Sequence, residues 1–176
     1  LDLVALLWWW VILALLVVIV VYDLYHFIIP DELTVALTVG TVGLLFYKHG
    51  FAAEQWPAYG WMVFAALCGS AFYYFLWAIS QGQWLGFGDV KLAIPLGLLV
   101  GPNFVFSFVV LSFWIGAIIS LLILGWQKYR RGQARLQLGS SQLTMKSAVP
   151  FAPFLILSCV IILFTSFNVL SLFSSL

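Results

Sequence analysis

A carboxylate and an amine stand two residues apart in Gly86-Phe87-Gly88-Asp89-Val90-Lys91, among two glycines, in a chain where only 7% of residues are charged. In apolar surroundings an ionisable side chain is costly unless it faces a polar cavity or a partner, so each acid here is a candidate functional group. Gly86 and Gly88 let the backbone leave helical geometry and approach another segment closely, just ahead of a helix that begins near Asp89. Without a second acid, the same glycines would suit a helix kink or tight packing. Asp23, near the end of another apolar run, is the natural partner. Two carboxylates within a few ångströms cannot both ionise, because like charges repel, so the pair holds one proton and offers a base beside an acid. That chemistry cuts a peptide bond with water: the ionised carboxylate takes a proton from the attacking water and the protonated one donates to the scissile carbonyl. Asp89, at a helix N-terminus with Lys91 close in sequence, suits the ionised role. Asp23, at the negative end of a helix dipole, suits the role that keeps the proton.

The elements that must position these acids are apolar helices. Hydrophobic residues make up 65% of the chain and aromatics 18%, and the mean hydropathy is +1.15. Such a chain is a polytopic helical membrane protein, all-α, and not a soluble domain. The net charge of +1 and the lack of a basic cluster interleaved with aromatics point away from nucleic acid. Cys68 and Cys159 stand singly with no CxxC spacing, so they read as small hydrophobes and not as a metal site or disulfide. His26 and His49 have no metal-binding spacing and suit the membrane interface. The serines near the C-terminal end have no nucleophile context, and a Ser–Lys pair built on Lys91 or Lys146 is a minor alternative. Leu1 is not a methionine and no basic leader precedes the first apolar run, which predicts that the natural chain begins further upstream.

In order along the chain, Leu3 to Val21 reads as the first helix, carrying Trp8, Trp9 and Trp10. Pro30 lacks a backbone donor and disfavours helix at Ile29, so a break falls there. Asp31 and Glu32 suit the first turn of a second helix, Asp31 to Tyr47, better than a catalytic role. A short loop from Lys48 to Ala58, flanked by Trp56, Tyr59 and Trp61, reads as an interfacial belt, and a third helix follows from Tyr59 to Ile79. The fourth, Asp89 to Val100, has only twelve residues before Gly101-Pro102-Asn103. At a rise of 1.5 Å each they cover roughly 18 Å of a hydrocarbon layer about 30 Å thick. The helix therefore starts below the surface, with Ser80 to Gly88 dipping inward as a re-entrant loop in a wet recess. Phe104 to Trp126 and Pro150 to Phe173 complete six transmembrane helices.

With six crossings, the segments around Asp23 and Asp89 and the hydrophilic connection Gln127 to Val149 share one side of the membrane. That side holds six of the seven Lys and Arg residues, all except Lys48, which places it in the cytoplasm and both ends of the chain outside. The basic connection reads as an anchor on anionic lipid headgroups.

Three stretches resemble one family, the type IV prepilin leader peptidases, which are membrane aspartic peptidases of the GxGD type. Tyr22-Asp23-Leu24-Tyr25-His26-Phe27-Ile28-Ile29-Pro30-Asp31-Glu32-Leu33-Thr34 is similar to their first catalytic segment. Gly86-Phe87-Gly88-Asp89-Val90-Lys91-Leu92 is similar to their GxGD segment with its accompanying lysine, and Pro150-Phe151-Ala152-Pro153-Phe154 to the PFGPF run that opens their last helix, with Ala152 in place of glycine. The resemblance covers the whole chain, residues 1–176, as a single membrane-embedded peptidase unit. It implies a bacterial inner-membrane endopeptidase, active at the cytoplasmic face, that removes the short basic leader from type IV pilin or type II secretion pseudopilin precursors. Asp23 and Asp89 become the catalytic residues, with Gly86, Gly88, Lys91, Pro30 and Asp31 in support. Many members also carry an N-terminal insert with paired CxxC motifs and methylate the new N-terminus. Residues 1–176 contain none of that insert, which would precede Leu1, so methyl transfer and a zinc site are unsupported for this chain and no cofactor is expected. The rival reading is a proton- or cation-coupled transporter using Asp23 and Asp89 as an ion site, although it should show matching broken helices in two halves and only one is evident. A scaffold subunit would need no paired acids in a recess.

Overall fold

Nothing between Leu3 and His26 interrupts a helix: the run has no glycine or proline and is almost wholly apolar, and it forms α1 over its full length. The computed structural model describes residues 2–134, 150–166, 168 and 169, and among these are six α-helices, one 3-10 turn and no strand. After α1 come α2 (Asp31–His49), the 3-10 turn Ala53–Gln55, α3 (Trp56–Ser80), α4 (Phe87–Val100), α5 (Val105–Ala134) and α6 (Ala152–Thr165). Three stretches are long and apolar enough to cross a membrane, Leu3–His26, Ala53–Ser80 and Val105–Ile123.

Several boundaries move from the sequence reading. The first helix runs past Val21 to His26, which puts Asp23 inside its last turns. It stops where Phe27 turns left-handed at φ 56°, with the Phe27 N–H donating to the Asp23 carbonyl at 2.8 Å. Pro30, as expected, precedes the next helix as its N-cap. The fourth helix starts at Phe87, two residues earlier than Asp89, because Gly86 and Asp89 close its first turn between them. α3 persists to Ser80, so the irregular connection before α4 is residues 81–86, shorter than the expected Ser80 to Gly88. The fifth helix continues past Trp126 to Ala134, so the start of the hydrophilic connection is helical; its remainder, 135–149, with Arg135 and Lys146, lies outside the described residues. α6 begins at Ala152 and ends at Thr165, where Ser166 turns left-handed; of the expected stretch to Phe173, residues 167 and 170–173 lie outside the described residues.

The shortest helices carry the core. Nine of the fourteen residues of α4 are buried, against five of twenty-four in α1, so α4 is the central rod. It packs on α2, α3, α5 and α6, most broadly on α3. Between helices in lipid the attraction is close packing, which favours small residues at the contact. At Gly97 a Cβ would come 3.0 Å from the Ala66 Cα, so α3 and α4 touch backbone to backbone. Ser70 donates to the Val90 carbonyl at 2.8 Å along the same seam. On the other side Trp8 of α1 lies across α2, its indole N–H donating to the Gly40 carbonyl at 2.9 Å, and a Cβ at Gly43 would meet its ring at 2.5 Å. The outward faces remain apolar and exposed, including Val17, Phe64, Phe75, Ile118 and Leu121. This is the surface expected where hydrocarbon is the solvent.

Candidate active site

The last turns of α1, the α1–α2 turn and the first turn of α4 meet at one end of the bundle around a cavity of about 330 Å³. Asp23, Asp31, Gly86, Gly88, Asp89 and Lys91 all line it, together with Phe27, Ile28, Ile29 and Phe87. Of the candidate residues read from the sequence, only Pro30 does not, and it acts one step removed by ending the turn.

Asp89 reaches this place through the helix start. It is the third residue of α4, its N–H donating to the Gly86 carbonyl at 3.1 Å while the Gly86 N–H donates back to its Oδ2, also at 3.1 Å. The reciprocal pair is a capping box in which the N-cap residue contributes only backbone. The fit at Gly86 is close, since a Cβ on it would lie 3.3 Å from that same carboxylate oxygen. At Gly88 a Cβ would stand 3.1 Å from the Ile29 Cβ. Its absence lets the α1–α2 turn close onto the start of α4, and this brings the segment after Asp23 against the segment holding Asp89.

Asp23 is 5% exposed and Asp89 6%, and they are close enough to interact electrostatically. One oxygen on each, Asp23 Oδ2 and Asp89 Oδ1, is buried without a hydrogen-bond partner. Buried polar atoms are nearly always paired, and an orphaned carboxylate oxygen is expensive. Two of them beside one cavity mark a place where a hydrogen-bonding ligand belongs. The Asp23 carboxyl also faces the backbone N–H of Ala152, at the start of α6. Among the described residues no group of three or more His, Cys, Asp or Glu is arranged to hold a metal ion.

Lys91 is close to Asp89 in sequence, but its ammonium is engaged by Asp31, with Nζ 2.8 and 2.9 Å from the two carboxylate oxygens, and it lies 5.0 Å from the centre of the Phe87 ring. The α-helical spacing explains this: residues two apart project to different sides, so Asp89 points inward while Lys91 points to the rim.

Residues 10–121 match the type IV leader peptidase family. The chain belongs to that family. Its members are peptidases, which act on protein substrates, and the match spans Asp23, Asp31 and Asp89 of the cavity. No curated protein and no solved structure matches the chain. In this leader peptidase relative, sequence reasoning missed three contributors. Ile29 is the buried buttress of Gly88; it stands in the Tyr22–Thr34 stretch, where an apolar side chain beside the acids suggested no role. The Ala152 N–H sits in the recognised Pro150–Phe154 run, but a backbone donor carries no side-chain signal. Tyr73 is fully buried and shares a hydrogen bond of 2.8 Å with Ser112 among the rings of Phe108, Phe113 and Phe151, and it is near enough to Asp89 to interact electrostatically. A lone tyrosine in an aromatic-rich helix gave no reason to single it out.

Proposed function

We propose that the protein is a membrane aspartic endopeptidase that cleaves the basic leader from type IV prepilin or pseudopilin precursors, by two-aspartate activation of water. The observation that carries this reading is the pair of unpaired buried carboxylate oxygens, on Asp23 and Asp89, beside a single cavity in a member of a leader peptidase family. Asp89 acts as the base and draws a proton from water as that water attacks the scissile carbonyl. Asp23 donates its proton to the carbonyl oxygen, giving a neutral tetrahedral diol. The C–N bond then breaks as the proton held by Asp89 passes to the departing amine and Asp23 takes a proton back from a diol hydroxyl, which leaves the carboxylic acid and restores the dyad. The Gly86 N–H and the N-terminal turn of α4 favour the charge on Asp89, while Asp23 lies near the negative end of α1. The proton belongs to the pair, so the two roles are properties of the dyad.

The proposed setting is the bacterial inner membrane with all six helices embedded, the segment before α4 re-entrant, and the cavity open to the cytoplasm. The distribution of Lys and Arg supports that orientation, with six of seven on the side of the cavity in a six-crossing topology. The test is to replace Asp23 or Asp89 separately with Asn in purified, reconstituted protein and follow cleavage of a prepilin precursor. Either variant is expected to lose cleavage while remaining folded. Cleavage retained in one of them removes that residue from the mechanism.

A further inference from the structure

Asp31 opens α2 and Lys91 belongs to the first turns of α4, sixty residues apart, yet they form a two-pronged ion pair at the rim of the aspartate cavity. Each is joined by a few residues of backbone to a different catalytic candidate: Lys91 is two residues from Asp89 on the same helix, and Asp31 is separated from Asp23 only by the α1–α2 turn. Ile29 against Gly88 also crosses this gap, an apolar contact with no directional preference. We propose that the Asp31–Lys91 pair is a clasp that sets the spacing of the two aspartates, with both members positioning residues and neither touching the reacting atoms. The inference rests on the endopeptidase reading above.

The argument from magnitude supports positioning over stability. The two side chains are 66% and 38% exposed, and such surface pairs add little to the stability of a fold. A two-pronged contact nevertheless has a defined distance and direction. Aspartates that must share one water tolerate little misplacement, and a shift of about 1 Å can cost about a hundredfold in rate. The charged side chains facing the cavity are Asp23, Asp31, Asp89 and Lys91. With the clasp closed, the Lys91 ammonium is held by Asp31 at the rim instead of turning toward the dyad.

The test is a double-mutant cycle on the whole protein in liposomes, using cleavage of a prepilin precursor and hydrogen exchange followed by mass spectrometry. Asp31→Asn and Lys91→Gln are each expected to lower kcat about tenfold with KM changed less than about twofold, within the range that small misplacements produce. The double variant D31N/K91Q should be no worse than either single one, because both remove the same contact. Lys91→Arg, which keeps a forked donor, should retain most of the activity. Exchange should rise about two- to fivefold across residues 27–31 and 84–91 in both single variants and stay unchanged in α5, an amount matching a weak exposed pair. Additive losses in the double variant, silent single variants, or unchanged exchange in the turn would each overturn the clasp. If Asp23→Asn and Asp89→Asn abolish cleavage while the clasp variants are silent, only the clasp fails. If those two also cleave, the endopeptidase reading fails, and hydrogen exchange alone decides whether the pair ties the segments together.

Discussion

Two cavities of the same size, each about 330 Å³, open on this bundle, and they could hardly differ more in chemistry. One lies between α1 and α6 and is lined by Leu6, Trp9, Trp10, Leu13, Val160, Leu163 and Phe164. The other holds Asp23, Asp31, Asp89 and Lys91. In lipid an acyl chain would suit the first, whose walls are hydrocarbon and aromatic ring apart from the indole N–H groups of Trp9 and Trp10. The second contains two carboxylate oxygens with no partner, a state that hydrocarbon cannot relieve. Volume therefore does not mark the site. What marks it is the polarity left unsatisfied in an environment where that is costly.

The comparison breaks most sharply at the dyad. Asp89→Asn and Asp23→Asn should each reduce cleavage about 100- to 10,000-fold, the range for loss of a general acid or base. Thermal unfolding in detergent should be unchanged or shifted upward, because a buried, poorly paired carboxylate has been replaced by an amide of the same shape. A large loss of stability would instead assign the acids to the fold. A pair sharing one proton should also give cleavage that declines at both acid and alkaline pH. Fully protonated, it cannot take a proton from water, and fully ionised, it cannot donate to the carbonyl. A rate that keeps rising to high pH would contradict the shared proton.

Glycines at the two ends of α4 give the next smaller effects and separate the site from the core. Gly88→Val drives a branched side chain into Ile29 and should part the two aspartate-bearing segments. Cleavage should drop about tenfold or more, with only about 1 kcal/mol lost in stability. Gly97→Leu meets the Ala66 backbone, which cannot move aside, so about 1–3 kcal/mol of stability should be lost, with activity per folded molecule largely retained. Thermal unfolding and active fraction measured on the same samples distinguish the two. The smallest change is expected in the apolar cavity, where Leu6→Ala should alter both activity and stability by no more than about twofold in the relevant constant. A tenfold loss of cleavage there would make that cavity part of the site.

The acids themselves were legible because the background is so apolar: a lone Asp23 or Asp89 stands out wherever 7% of residues are charged. The break at Pro30 and the clearance at Gly88 could be read for the same reason, since proline and glycine restrict or free the chain locally. The partner of Lys91 was not legible: the lysine is two residues from Asp89 in sequence, but helical geometry sends the two side chains to different sides and delivers Lys91 to a residue sixty positions away. Helix ends were displaced for a related reason. Polar residues such as Tyr22, Asp23 and His26 signal the end of an apolar run, yet the helix continues through them until Phe27, where the backbone turns.

Composition and short-range chemistry alone determined that this chain is a set of apolar helices and that Asp23 and Asp89 are its anomalous acids; the motifs around them resemble those of the leader peptidases. These are properties of neighbours along the chain. Only the tertiary structure decided that both acids line one cavity, that each has an oxygen without a partner, that Ala152 offers its N–H to Asp23, and that Asp31 holds Lys91. Each of these depends on how α4 seats between α2, α3 and α6. That seating is fixed by side chains meeting across dozens of residues, at places such as Gly88 on Ile29 and Gly97 on Ala66, where no local pattern announces the contact.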